Sequence, residues 1–63
     1  MTTTTQTIRT YTINRFAEIE GNNAQGWRVC NLVTGLMQET VYPTYDEAKG
    51  AAQFVGTYYR ALE

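Results

Sequence analysis

The strongest local signal in this sequence lies in residues 44–63, whose start, periodicity and length all predict one helix. Thr44 and Glu47 have the spacing of a capping box, in which each side chain accepts a hydrogen bond from the other residue's amide. Asp46 in the first turn and Arg60 in the last turn both agree with the helix dipole. Apolar residues recur with a helical period at Ala48, Ala51, Ala52, Val55, Tyr58, Tyr59 and Leu62. The segment is therefore predicted to be a C-terminal amphipathic helix, and the upstream chain must supply the surface that it covers.

Three upstream segments have the composition of β-strands. Residues 7–20 alternate and are rich in Thr, Ile and Tyr, which predicts one long first strand, kinked or bulged near residues 14–16. Residues 27–33 are predicted as the second strand and residues 36–42 as the third. Pro43 ends the third strand because proline cannot donate to a ladder.

The connections between these segments carry turn residues. Residues 21–26 have the Gly and Asn content of a loop. Thr34 and Gly35 predict a tight turn with Gly35 in the left-handed region, and Asn31 is placed to hydrogen-bond into it. The predicted fold class is α+β, a three-stranded antiparallel sheet (β-β-β-α) with one C-terminal amphipathic helix packed on one face. Residues 1–6 are predicted to be a disordered tail and residues 7–63 a single domain.

The chain is short, and this limits how it can be stabilised. A domain of 63 residues buries only about 60% of its unfolded surface. Its one cysteine cannot form an internal disulfide, and the absence of histidine disfavours a zinc site, so no metal or cofactor is expected. Dense packing and self-association remain as ways to stabilise the fold. The content of one Trp, five Tyr and two Phe is compatible with either, because each aromatic residue can bury a large area. We expect a homodimer.

Several function classes are disfavoured by composition. The formal net charge of −1 does not suit a general nucleic-acid binder. No apolar run has the length of a membrane span, and the N-terminus lacks the pattern of a signal peptide, so a cytoplasmic protein is expected.

Catalytic groups are also lacking in the sequence. Without histidine, Cys30 has no partner base and is expected to be a small buried hydrophobe. Glu18 and Glu20 could form a carboxylate pair, but beside a polar loop they are expected to be solvated. We expect no catalytic residues and no enzyme activity.

The predicted helix has a second stripe away from its core face, which is centred near Val55 and Ala48. This stripe contains Gly50, Phe54, Thr57 and Ala61. Glycines at 50 and 56 cost about 1 kcal/mol each in a helix interior, which is easier to understand if another backbone approaches closely. Two interpretations stay open: Phe54 and Tyr58 overhang the sheet edge and the glycines are tolerated, or this flank of the helix contacts a partner.

Protein–protein contact is the leading hypothesis for function, because one helix on one sheet cannot bury all of the aromatic residues. Another protein or a second copy of the chain is the expected partner. The candidate partner-binding residues are Trp27, Arg28, Gly50, Phe54 and Tyr58. The open sheet face and the helix flank remain alternative locations for the contact, and a structural homo-oligomer is a further alternative.

A second hypothesis rests on a family resemblance. The anchors W27-x-V-x-N, G35, V-Y-P-T44, D-E-A-K and A51-A resemble the strand, hairpin and helix pattern of AP2-type and integrase arm-binding domains. This resemblance covers about 35 residues and implies a β-β-β-α fold that binds DNA through its open sheet face. The matching nucleic-acid face here would contain Arg9, Arg15 and Arg28. The chain departs from the family in having few basic residues, and Glu39 would oppose phosphate.

In size, in its lack of catalytic groups and in its surface aromatic content, the chain is also similar to the small, mildly acidic inhibitor proteins of phages and mobile elements, anti-CRISPR proteins among them. That likeness implies a protein that acts by occupying a surface on host machinery.

Overall fold

The computed structural model describes residues 7–63 as three strands followed by one helix. The elements are β1 (Arg9–Asn14), β2 (Ala17–Asn22), β3 (Gly26–Asn31) and α1 (Tyr45–Ala61). The strands form one antiparallel sheet in the order β1-β2-β3, and α1 packs on one face of it. The predicted fold class is therefore confirmed. The tail predicted for residues 1–6 lies outside the described residues.

The sequence prediction of one long first strand over residues 7–20 is wrong, because this segment forms a hairpin. A two-residue turn joins β1 to β2. Asn14 closes the turn: its Oδ1 accepts a 2.8 Å hydrogen bond from Phe16 N, and its Nδ2 donates a 3.1 Å bond to Ala52 O in α1. The pairing register also shifts between Thr12 and Asn14. The predicted kink is thus a complete chain reversal.

Residues 36–42, predicted as the third strand, follow the outer edge of β3 without forming a strand. One isolated bridge joins Met37 to Cys30, and another joins Tyr42 to Trp27. Between these bridges the segment contains more residues than β3 does, so the ladder is interrupted. The sheet obtains its three strands from the hairpin and β3 instead.

The turn after β3 agrees with the prediction. Gly35 has a φ of +77°, which is the left-handed region that favours glycine. Asn31 Oδ1 accepts hydrogen bonds of 2.8 Å from Val33 N and 3.1 Å from Thr34 N. One amide side chain therefore shapes the turn that leads the chain back along β3.

At the start of α1, the predicted N-cap is confirmed, but only one of the two hydrogen bonds of the predicted capping box is formed. Thr44 is the N-cap, and its Oγ1 accepts a 3.2 Å hydrogen bond from Glu47 N. The reciprocal bond of the capping box is not formed between these two described residues. Asp46 in the first turn and Arg60 in the last turn complement the helix dipole.

A small core lies between α1 and the sheet. Its buried members are Ala17, Ile19, Trp27, Val29, Ala48 and Ala52. Ile19 and Val29 lie opposite each other on β2 and β3 and are the largest fully buried side chains described. The buried residues of α1 are Ala48, Ala52 and Gly56, whereas Val55 is half-buried. The helix is thus rotated from its predicted setting, so that Ala52 rather than Val55 is central.

Candidate protein-binding surface

The side of α1 that faces away from the sheet carries large apolar side chains. Phe54 is 73% exposed, Tyr58 is 55% exposed and Leu62 is 66% exposed. These residues are four positions apart and therefore lie on one side of a helix. Phe54 is two residues from Ala52, which turns it about 160° away from the buried row. We name Gly50, Phe54, Tyr58 and Leu62 the outer helix face.

Tyr59 anchors one edge of this surface to the body of the protein. Its hydroxyl accepts a 3.0 Å hydrogen bond from Asn31 Nδ2, and its ring stacks on Phe16 with 5.6 Å between centroids. Tyr58 contacts the Tyr59 ring edge-to-face at 5.2 Å. Because Tyr59 is held on two sides, the neighbouring Tyr58 ring has a fixed support.

A shallow depression of about 210 Å³ adjoins the outer helix face. Its lining residues are Asn31, Gln38, Phe54, Val55, Tyr58 and Tyr59. Gln38 N donates a 2.8 Å hydrogen bond to Val29 O, which holds the segment beside β3. Leu36, two residues earlier, is 70% exposed. Alternation along an extended segment places Leu36 on the same side as Gln38, so it extends the apolar area.

The two interior glycines of α1 have opposite surroundings. A Cβ at Gly56 would come within 2.5 Å of Asn14 Nδ2, so this glycine is required by contact with the β1–β2 turn. A Cβ at Gly50 would have no atom within 4 Å. Packing within the chain therefore explains Gly56 and leaves Gly50 open on the outer helix face.

Trp27 does not belong to the exposed surface, and the prediction that placed it there is wrong. It is 5% exposed and lies in the core beside Tyr11 and Tyr45, with ring centroids at 5.9 and 5.4 Å. On β3, side chains alternate between the faces, so the neighbouring Arg28 lies on the open sheet face. The candidate residues thus separate into a core residue, an open-face residue and the Gly50, Phe54 and Tyr58 group.

The structure does not bring the three candidate arginines onto one face. Arg28 lies opposite Glu20 in the strand register, on the open sheet face. Arg9 lies opposite Gly21, on the side that packs on α1. Arg15 lies in the β1–β2 turn, forms an ion pair of 2.6 Å with Glu63, and stacks over the Phe16 ring at 4.7 Å. The proposed nucleic-acid face of Arg9, Arg15 and Arg28 is therefore not assembled.

The open sheet face has acidic and thiol groups at its centre. In the β2–β3 register, Glu18 lies opposite Cys30 and Glu20 lies opposite Arg28, so all four side chains are on one face. Cys30 is half-buried rather than fully buried. Burial raises the pKa of its thiol, and the carboxylates of Glu18 and Glu20 raise that pKa further. The thiol thus resists conversion to the nucleophilic thiolate.

Two features of the surface had weak signals in the sequence. Leu36 was assigned to a strand, but it lies outside the three strands and is exposed. Tyr59 was assigned to the helix core, whereas its hydroxyl reaches Asn31 on a neighbouring strand. The sequence contains Asn31 and Tyr59, but it does not show that their side chains are hydrogen-bonded, because that contact depends on how α1 lies on the sheet.

Across the described residues, no group of three or more His, Cys, Asp or Glu side chains is placed to hold a metal ion. Within residues 7–63, no helix combines the length and apolar character needed to cross a membrane. Comparison with known proteins finds no matching family model, no matching curated protein and no matching solved structure.

Proposed function

We propose that this chain is a small non-catalytic module that works by protein–protein contact through its outer helix face. The observation that carries the proposal is the exposure of Phe54 and Tyr58 on the side of α1 opposite the core. Aromatic side chains supply much of the binding energy at protein interfaces because each buries a large area with few rotatable bonds. The fixed Tyr59 support and the adjoining depression favour a defined contact over a diffuse one.

A second copy of the chain is the first partner that this face suits. Gly50 and Tyr58 lie four residues before and four residues after Phe54. If two α1 helices pair antiparallel about a two-fold axis at Phe54, each Phe54 meets its copy and each Tyr58 lies over the partner's Gly50 position. The space above Gly50 contains no atom of its own chain within 4 Å. Tyr58 of each copy then fills the empty space above Gly50 of the other copy.

A different protein is the second partner that we propose for the outer helix face. The likeness to phage and mobile-element inhibitors, anti-CRISPR proteins among them, suggests that the module occupies a surface on host machinery. A cytoplasmic setting fits this role because the chain has a single cysteine and no internal disulfide to maintain. We do not extend the proposal to DNA, since Arg9 and Arg28 lie on opposite sides of the sheet.

Light scattering and sedimentation equilibrium over a wide concentration range test the self-association. We expect a concentration-dependent dimer that is weakened by Phe54→Ala and by Tyr58→Ala, each by about tenfold or more in dissociation constant. Gly50→Leu should also weaken the dimer, because the added side chain fills the position over which Tyr58 would lie. Within one chain a Cβ at position 50 meets no neighbour within 4 Å and the position is exposed, so the monomer fold should be retained.

Ile8→Ala is the matched control, since Ile8 is an exposed apolar residue at the start of the sheet and far along the chain from α1. It should leave the dissociation constant unchanged. A monomer at all concentrations would exclude the second copy as partner. The host-target proposal would then be tested by a pull-down in which Phe54→Ala and Ile8→Ala are compared, and equal capture by both variants would reject the outer helix face.

A further inference from the structure

A second depression lies at the other end of α1, where the start of β1, the β2–β3 turn and the first helical residue meet. It has a volume of about 650 Å³. Its lining residues are Thr7, Arg9, Tyr11, Asn22, Asn23, Trp27 and Tyr45. We name it the Arg9 depression. None of its lining residues belongs to the outer helix face, so the two surfaces are separate.

The charge of the residues that line the Arg9 depression indicates which charge its ligand should have. Arg9 is the one charged residue among the lining residues, and none of them is a carboxylate. No ion pair joins Arg9 to any acid among residues 7–63. An arginine side chain presents a planar fork of donors that matches a carboxylate in geometry. A single guanidinium suits one anionic group and not a polyanion.

The aromatic residues form the apolar wall of the depression. Tyr11, Trp27 and Tyr45 contact one another in all three pairs, with centroid distances of 5.9, 5.3 and 5.4 Å. The indole Nε1 of Trp27 is buried and has no hydrogen-bond partner among the described residues. Nε1 is solely a donor, as are the nitrogens of the Arg9 side chain. The wall therefore offers ring surface beside the donor groups of the Arg9 side chain, and together they fit an acceptor-bearing ligand.

The rim is held in place before any ligand arrives. Asn22, which is buried, accepts hydrogen bonds from Ala24 N at 3.0 Å and from Gln25 N at 2.7 Å, and this shapes the β2–β3 turn. A Cβ at Gly21 would overlap Gly26 O, so the chain at this end of the sheet packs backbone against backbone. A rigid rim lowers the entropy lost on binding.

We propose that the Arg9 depression binds a carboxylate that is attached to a planar or apolar group. The carboxylate pairs with the Arg9 side chain, and the attached group lies against the Tyr11 and Tyr45 rings. Two sources share this chemistry: a free aromatic acid, and an acidic residue next to an aromatic residue in a peptide.

The test uses the indole N–H resonance of Trp27, which is unambiguous because the chain has one tryptophan. The full chain is titrated with phenylacetate, with neutral phenylacetamide and with acetate. We expect phenylacetate to shift the indole resonance saturably with a dissociation constant on the order of 1–10 mM, as suits a fragment of its size. Phenylacetamide and acetate should each bind about tenfold more weakly.

Arg9→Gln should weaken phenylacetate by about tenfold, and Arg9→Lys should weaken it less because the charge is retained. Arg28→Gln is the matched control, since it removes an exposed arginine from the opposite face of the sheet. The amide spectrum of each variant confirms the fold. Equal shifts with phenylacetate and phenylacetamide, or equal losses in Arg9→Gln and Arg28→Gln, would overturn the proposal.

A peptide arm identifies the source of the carboxylate. Acetyl-Phe-Asp-amide is compared with acetyl-Phe-Asn-amide, which differs only in charge. Tighter binding of the acidic peptide than of phenylacetate assigns the depression to a peptide ligand. Binding of phenylacetate with no binding of either peptide assigns it to a free acid. If no carboxylate probe shifts the indole resonance, the depression has no such ligand.

Discussion

Gly50 and Gly56 show how the same residue type on one helix can have different causes. Gly56 is buried, and its missing Cβ leaves room for the Asn14 side chain, which ties the β1–β2 turn to α1. Gly50 is exposed, and nothing in its own chain requires it. The sequence shows two glycines in a helix, but it cannot show which of them is needed for packing.

The two glycines should therefore respond oppositely to alanine. Gly50→Ala should raise the stability of the monomer by about 1 kcal/mol, because alanine has the higher helix propensity and the new methyl group meets no neighbour. Gly56→Ala should lower stability by about 1 kcal/mol or more, because the Asn14 side chain must move and its two hydrogen bonds are strained. Chemical denaturation of both variants at low concentration checks the signs, and two changes of the same sign would contradict the assignment.

Cys30 should be less reactive in the folded chain than in the unfolded chain. Its pKa is raised from the ordinary 9.0, first by burial and then by Glu18 and Glu20, so the native state keeps the thiol proton to higher pH. This contribution to stability is complete below the unfolded pKa and is lost as pH rises through the raised native value. Iodoacetamide at about pH 8 should alkylate native Cys30 more slowly than the denatured chain. The double substitution of Glu18 and Glu20 by Gln should speed the native reaction, and an unchanged rate would show that the carboxylates do not act on the thiol.

Among the strands, turns and helix, the features that were predicted correctly are those with local sequence signals. The N-cap at Thr44 and the left-handed Gly35 are decided by residues within one turn of each other. The break between β1 and β2 had a sequence signal at residues 14–16, but Asn14 is fixed in part by Ala52 O, 38 positions away. No local pattern contains that contact.

Strand and surface assignments failed for a related reason. Residues 36–42 have the composition of a strand, but a strand also needs a partner in continuous register, and the bridges to β3 are interrupted. Trp27 has the residue type of an interface anchor, but its place in the core depends on the rings of Tyr11 and Tyr45. Phe54 and Tyr58 were both named as partner-binding candidates, but the helical period had placed Tyr58 and Leu62 in the apolar row that faces the sheet, and both are exposed.

The cap can be tested against a threonine on the same helix. Thr44→Ala should cost about 1 kcal/mol, because Glu47 N loses its 3.2 Å hydrogen bond. Thr57→Ala should be neutral or slightly stabilising, since Thr57 Oγ1 only donates back to Gln53 O at 3.1 Å on the exposed side. Thermal unfolding of the two variants measures the difference. Equal losses would mean that the cap contributes no more than an ordinary surface hydroxyl group.

The core formed by residues 7–63 is small for a domain of this length. Only Ile19 and Val29 are large and fully buried among the described residues, and α1 contributes two alanines and a glycine to the buried row. The small helix residues bring α1 close to the sheet, but they also limit the apolar area removed from water. Stability then depends on a few side chains.

Ile19→Ala should accordingly have a large effect. The lost side chain and the resulting cavity should cost about 2–5 kcal/mol, which is enough to unfold much of a marginal 63-residue domain. The same substitution at Ile8, which is 43% exposed, should change stability by less than about 1 kcal/mol. Circular dichroism melts of both variants decide the matter, and a folded Ile19→Ala protein with an unchanged midpoint would show that the core is elsewhere.

The register shift between Thr12 and Asn14 also bears on how the sheet meets other chains. β1 is the edge strand, so its outer backbone groups could pair with an extended segment of another molecule. Its regular pairing with β2 runs from Arg9 to Thr12 and is then displaced by the shift. An incoming strand would find four residues in continuous register, with a charged residue at the first of them. The register shift at the end of β1, beside the β1–β2 turn, should thereby also limit edge-to-edge growth of the sheet into fibrils.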